Sequence, residues 1–102
     1  MNAADAITVV ARWQPAANAM AEVLALAEEM RQRSLAEPGC LGYEIYRSAG
    51  TPETVLLVER YRDAEALEKH KQSAHYQLLV TGQVLPLLGY RKVDLLRTCT
   101  PA

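Results

Sequence analysis

What most constrains this chain is the order in which its hydrophobic period changes: two residues, then 3.6, then two in a pair of segments, then 3.6, then two. The first segment, ITVVARW from Ile7 to Trp13, is β-branched and aromatic, the composition of a strand. Ile7, Val9, Ala11 and Trp13 share one face, and Val10 makes the other partly apolar. After Pro15, the residues Met20, Val23, Leu24, Ala27 and Met30 form the stripe of an amphipathic helix running to about Leu35. Pro38 cannot continue that helix, and Gly39 accepts the dihedrals that end it. LGYEIYRS from Leu41 and TVLLVERYR from Thr54 then read as a hairpin joined by AGTPE. In its second strand Val55, Leu57, Glu59 and Tyr61 share a face while Leu56 and Val58 take the other, which predicts a central strand. Asp63 is the expected N-cap of AEALEKH, and Ser73 caps a second piece, AHYQLLV, ending near Thr81 and Gly82. The two pieces make a broken helix. A final strand, RKVDLLRTC, is expected from Arg91.

Strand, helix, strand, strand, helix, strand is an α+β order. Right-handed crossovers place both helices on one face of a four-stranded antiparallel sheet. The expectation is one domain over residues 1–102, with its core at about 6–99, because 102 residues support one hydrophobic core. Apolar residues on both sides of the first, third and fourth strands would leave a sticky uncovered face, which predicts a homodimer packed sheet against sheet.

Charge narrows the partners. Eleven Lys+Arg against twelve Asp+Glu give a net charge of −1, with no basic excess for nucleic acid or an anionic membrane. The first residues, MNAADAITVVARW, lack a basic leader and a long apolar run, so a cytoplasmic protein with no membrane segment is expected. Cys40 and Cys99 should sit near opposite sheet edges as reduced thiols, and no Cys/His spacing suggests a structural metal.

Four stretches together carry a family likeness: ITVVARW, AEPGCLGYEIYR, LVERYRDAEALEKH and SAHYQLL. They resemble the antibiotic biosynthesis monooxygenase family over about Ile7 to Leu96. EPGCLGYE and the Ser-x-His-aromatic step are the most specific parts. The resemblance implies a ferredoxin-like βαββαβ fold assembled as a dimeric α/β barrel, with one pocket per protomer between sheet and helices. It implies oxygenation of a small quinol-like or polycyclic phenolic molecule without metal, flavin or other cofactor. Haem-degrading relatives carry Asn, Trp and His at places that correspond here to Ala11, His70 and Val80, so this chain departs from that branch.

Such chemistry needs a base, hydrogen bonds to the substrate anion and a pocket that limits water. His75, which matches the family motif, and His70, placed toward the sheet by its spacing from Leu67, are the candidate bases. Glu59, in phase with buried strand residues, is a candidate partner for a histidine, or else a structural ion pair with Arg12, Arg47 or Arg97. Trp13, Tyr61, Tyr43 and Tyr46 are candidate walls for a planar substrate, or packing residues. Glu65, Glu68, Lys69 and Lys71 read as a solvated helix face, and Cys40 as packing. An isomerase using the same base, or a non-catalytic dimer that binds an aromatic ligand, uses the same residues.

Overall fold

The computed structural model describes residues 5–99. The order is β1 (Ile7–Pro15), α1 (Met20–Leu35), β2 (Cys40–Arg47), β3 (Val55–Tyr61), α2 (Ala64–Gln72), a π-helical segment (Tyr76–Val84), a 3-10 turn (Leu85–Leu87) and β4 (Leu88–Leu96). The four strands form one antiparallel sheet ordered β2-β3-β1-β4. This is the ferredoxin-like α+β arrangement, with β3 and β1 central.

Alternation decides which side of the sheet is covered. Ile7, Val9, Ala11 and Trp13 of β1, with Val55, Leu57, Glu59 and Tyr61 of β3, are all buried. α1 closes over them with Val23, Ala27 and Met30. The helix starts only at Met20 because Asn18 adopts φ 66°, a left-handed conformation that Asn tolerates and a helix does not. Asp63 caps α2 as expected, its carboxylate accepting from Ala66 N at 2.8 Å. Ser73 joins the two helical pieces: its hydroxyl donates to His70 O at 2.7 Å and accepts from Tyr76 N at 3.2 Å.

Two boundaries differ from expectation. The second helical piece does not stop at Gly82 but runs on to Val84 and into the 3-10 turn, its wide turns leaving no break at the glycine. β4 starts at Leu88 rather than Arg91, because β1 extends to Pro15 and pairs with it there.

The uncovered face is more mixed than its alternation suggests. Val10, Leu56 and Val58 are half-buried, and Tyr46, Tyr90 and Leu96 exposed, but Arg12, Arg60 and Lys92 interleave with them. Among the described residues no helix is long and apolar enough to cross a membrane.

Gly39 lets the backbone of the α1–β2 connection pack tightly against α2. A Cβ there would stand 2.4 Å from the Cβ of Ala66, which is backbone-anchored and cannot swing away. Gly39→Ala is therefore expected to destabilise the fold by about 1–3 kcal/mol, the usual range for overpacking. Chemical denaturation reads this directly, and an unchanged midpoint would refute the contact.

Candidate functional site

A cavity of about 400 Å³ lies between the covered face of the sheet and the α2–π-helix unit. Its walls are apolar for most of their area, supplied by residues such as Val9, Ala11, Met30, Leu67 and Val80. Val93 and Leu95 of β4 border the cavity yet remain exposed at 41% and 57%. The mouth opens on that side.

A line of polar groups is buried against one wall. Glu59, 6% exposed on β3, is opposite Val9 and Tyr43 in the sheet register. Tyr61, two residues on and on the same face, donates its hydroxyl to Glu59 Oε1 at 2.6 Å. His70 approaches from α2, 2% exposed, with Nε2 3.5 Å from that same oxygen. Its other nitrogen, Nδ1, is 2.9 Å from Glu37 Oε2, and His75 Nε2 lies 2.6 Å from that oxygen. An ionised carboxylate only accepts, so Glu37 receives N–H groups from both rings. The Nδ1–H tautomer of a neutral His70 leaves its Nε2 lone pair facing Glu59 and the cavity.

The α1–β2 connection makes this geometry possible. Glu37 N donates to Ser34 O and Cys40 N to Glu37 O, at 2.9 and 3.1 Å, so the carboxylate is held at the end of α1. Gly39, pressed onto Ala66, brings that connection against α2, and His70 lies one helical turn beyond Ala66.

Burial sets the protonation states. Desolvation raises the Glu59 carboxyl to about 7, against the Tyr61 hydrogen bond, which favours its charge. Desolvation lowers His70, against the Glu37 hydrogen bond, and so favours the neutral ring. Tyr43 and Tyr61 are pushed up by burial first and by the Glu59 charge second, which keeps both phenols protonated. Below about pH 7 Glu59 holds a proton that it can share with His70 Nε2 over the cavity.

Glu37, His70 and His75 each offer one ligand atom within 4.8 Å of the others, the donor types that a divalent cation takes. Their spacing is that of hydrogen bonds. Glu37 Oε2 and His75 Nε2 are 2.6 Å apart, whereas two ligands about 2.1 Å from one tetrahedral metal stand about 3.4 Å apart.

The structure brings together four of the seven residues singled out in the sequence. Glu59, His70, Trp13 and Tyr43 line the cavity. Tyr61 is fully buried behind Glu59, and His75 lies behind Glu37; neither borders the cavity. Tyr46 sits on the opposite sheet face, 49% exposed, because it is out of phase with Tyr43, and its hydroxyl donates to Glu44 at 2.9 Å. The cross-sheet arginine partner for Glu59 is also corrected: Arg12 points to the uncovered face, and Glu59 meets Tyr61 and His70 instead. Cys40 packs against the core, its thiol raised by burial.

Sequence reading passes over Glu37, Tyr76 and Arg91 as site residues and takes Lys71, which borders the cavity, only as part of a solvated helix face. Glu37 stands inside EPGCLGYE, where Pro38 and Gly39 read only as a helix stop. Tyr76 is the aromatic residue of the Ser-x-His-aromatic step; its ring meets that of His70 edge-on at 5.3 Å and its hydroxyl accepts from Arg91 Nη2 at 3.1 Å.

Residues 6–81 match the family model described as antibiotic biosynthesis monooxygenase. The chain is 41% identical over 70 residues to "Putative monooxygenase Rv0793" of Mycobacterium tuberculosis, spanning 69% of this chain and 68% of that protein. The solved structure of Rv0793 superposes with a TM-score of 0.87 at 35% identity, covering 95% of this chain and 98% of that one. "Putative monooxygenase YcnE" of Bacillus subtilis is 32% identical over 56 residues, 55% of this chain and 59% of that protein.

Proposed function

The chain belongs to the antibiotic biosynthesis monooxygenase family, and on that premise we propose that its cavity oxygenates a small quinol-like or polycyclic phenolic substrate with O2, using His70 as the base. The observation that carries this reading is the Glu37–His70–Glu59 line. A neutral imidazole, oriented through Nδ1 by a carboxylate, turns its free nitrogen toward an apolar cavity beside a second carboxyl that can share the proton.

Deprotonation of the substrate hydroxyl by His70 Nε2 produces an electron-rich ring. O2 takes electrons from it and forms a C–O bond, giving a peroxide at a ring carbon. Loss of water breaks the O–O bond and leaves a carbonyl. For an anthrone-type carbon the balance is one ring methylene and one O2 giving one ring carbonyl and one water, with all the electrons that reduce O2 supplied by the substrate. Tyr61 holds Glu59, and Trp13 and Tyr43 flank the ring. The apolar walls limit water around the anion. The reading includes a cytoplasmic homodimer paired through the uncovered sheet face, where Tyr46, Tyr90 and Leu96 stand exposed.

Oxygen uptake by chelator-treated protein, run at the solution mass of two chains with a panel of anthrone-type phenols, tests this. Saturable uptake above autoxidation is the expected result. Product formation without uptake would assign the site to proton-transfer isomerisation, and binding without turnover to ligand sequestration.

A further inference from the structure

The cavity is electrically lopsided. Among the described residues that line it, the one carboxyl is Glu59, deep against β3, and the cations are Lys71 and Arg91, both at the exposed rim. Lys71 is already paired, with Glu68 Oε2 at 3.4 Å. Arg91 is not: its guanidinium donates to the Tyr76 hydroxyl at 3.1 Å, and no carboxylate of the described residues comes within ion-pair distance. A guanidinium keeps further donors in a planar fork suited to a carboxylate, and a phenol occupies only one of them.

The register fixes how far this cation lies from the buried acid–base pair. Glu59 is opposite Val9, and Arg91 is opposite Trp13 on the other side of β1. Val9 and Trp13 are separated by roughly 13 Å along β1, and the flanking strands by about 10 Å across it. Glu59 and Arg91 both line the one cavity, at its buried wall and its exposed rim, so a ligand that reaches both must be elongated, as two fused rings are. The Arg91 end holds one more unused donor: Trp13 Nε1 is buried without an acceptor in the protein.

We propose that the substrate is a fused-ring hydroxyaromatic that carries a carboxylate at the end opposite the reacting hydroxyl, with Arg91 binding the carboxylate while the hydroxyl meets His70 and Glu59. This rests on the reading of the cavity as a hydroxyaromatic site, and it adds polarity and length to that reading. Arg91 then sets which substrates bind, and in which direction, without taking part in proton transfer.

Calorimetric titration of the intact protein with 6-hydroxy-2-naphthoate and with its neutral carboxamide tests the assignment. Arg91→Gln is expected to weaken the naphthoate about tenfold or more and the carboxamide less than about twofold, since a charge-assisted pair is lost in one case only. Arg91→Lys, which keeps the charge but not the fork, is expected to fall between. Equal losses for both probes, no loss for the naphthoate, or no saturable naphthoate binding to the unaltered protein would each overturn it. Because binding is read without turnover, the two readings fail separately. A protein that binds naphthoate through Arg91 but consumes no oxygen overturns only the oxygenase reading, and one that oxygenates phenols regardless of Arg91 overturns only this one.

Discussion

His70→Gln is expected to lower the turnover of oxygen uptake by about 10²- to 10⁴-fold, the usual worth of a positioned base, while leaving probe binding within a few-fold. The ring is buried, its Nδ1 is engaged at 2.9 Å by Glu37, and Nε2 is its one nitrogen left to the cavity. The replacement His75→Leu should cost far less, because His75 touches Glu37 and not the cavity. Leucine removes the N–H that Glu37 accepts, which leaves Glu37 with a single donor and more charge to place on His70, so the activity profile should move toward higher pH. Comparable losses of turnover in the two variants, with no movement of the profile in His75→Leu, would show that the histidines act as packing rather than as base and support.

Glu59→Gln should change the pH dependence of stability more than any other single replacement. Burial holds the native carboxyl at about 7, while the unfolded chain titrates near the ordinary value of 4.5. Between those values the folded protein retains a proton that the unfolded chain has lost. Its contribution is therefore complete below about pH 4.5 and disappears as pH rises through about 7. The full swing is about 3 kcal/mol, from the spacing of the two values at about 1.4 kcal/mol per unit. Gln copies the protonated form: it can accept from the Tyr61 hydroxyl and donate to His70 Nε2, and it does not titrate. The groups facing Glu59 include Tyr61 and Tyr43 within the sheet, His70 on α2, Glu37 beyond it and Arg91 on β4. His70 is shifted the other way, so its contribution falls as pH drops below about 6.5, but it is present in both proteins and largely cancels. Urea denaturation at pH 5 and pH 8 should show Glu59→Gln gaining on the unaltered protein at the higher pH. Parallel profiles would mean that Glu59 ionises normally and that no shared proton sits over the cavity.

Local pattern made much of the framework legible. Strand alternation assigned Val55, Leu57, Glu59 and Tyr61 to one buried face, and all four are buried there. The spacing from Leu67 turned His70 inward, and Asp63 capped its helix. These properties depend on a few residues of backbone geometry and on which side chains water excludes. The same reasoning could not separate a buried aromatic that borders a cavity from one that fills the core, because Tyr43 and Tyr61 carry identical alternation signals. Only the position of α2 makes one a wall and the other a support.

Glu37 shows the limit most clearly. Its sequence context announces a helix stop, and nothing nearby says that its carboxylate will meet two rings thirty-three and thirty-eight residues away. That meeting depends on Gly39 letting the connection press against Ala66, a contact between distant segments. The depth of Glu59, the idle lone pair of His70 and the unpaired Arg91 at the mouth have the same origin. By itself the sequence determined the order of elements, the buried face of each and the family likeness, because those follow from period, capping and side-chain chemistry. The tertiary structure alone decided which polar groups share the cavity and what charge they hold there, since desolvation and hydrogen-bond partners belong to the packed arrangement and not to any one segment.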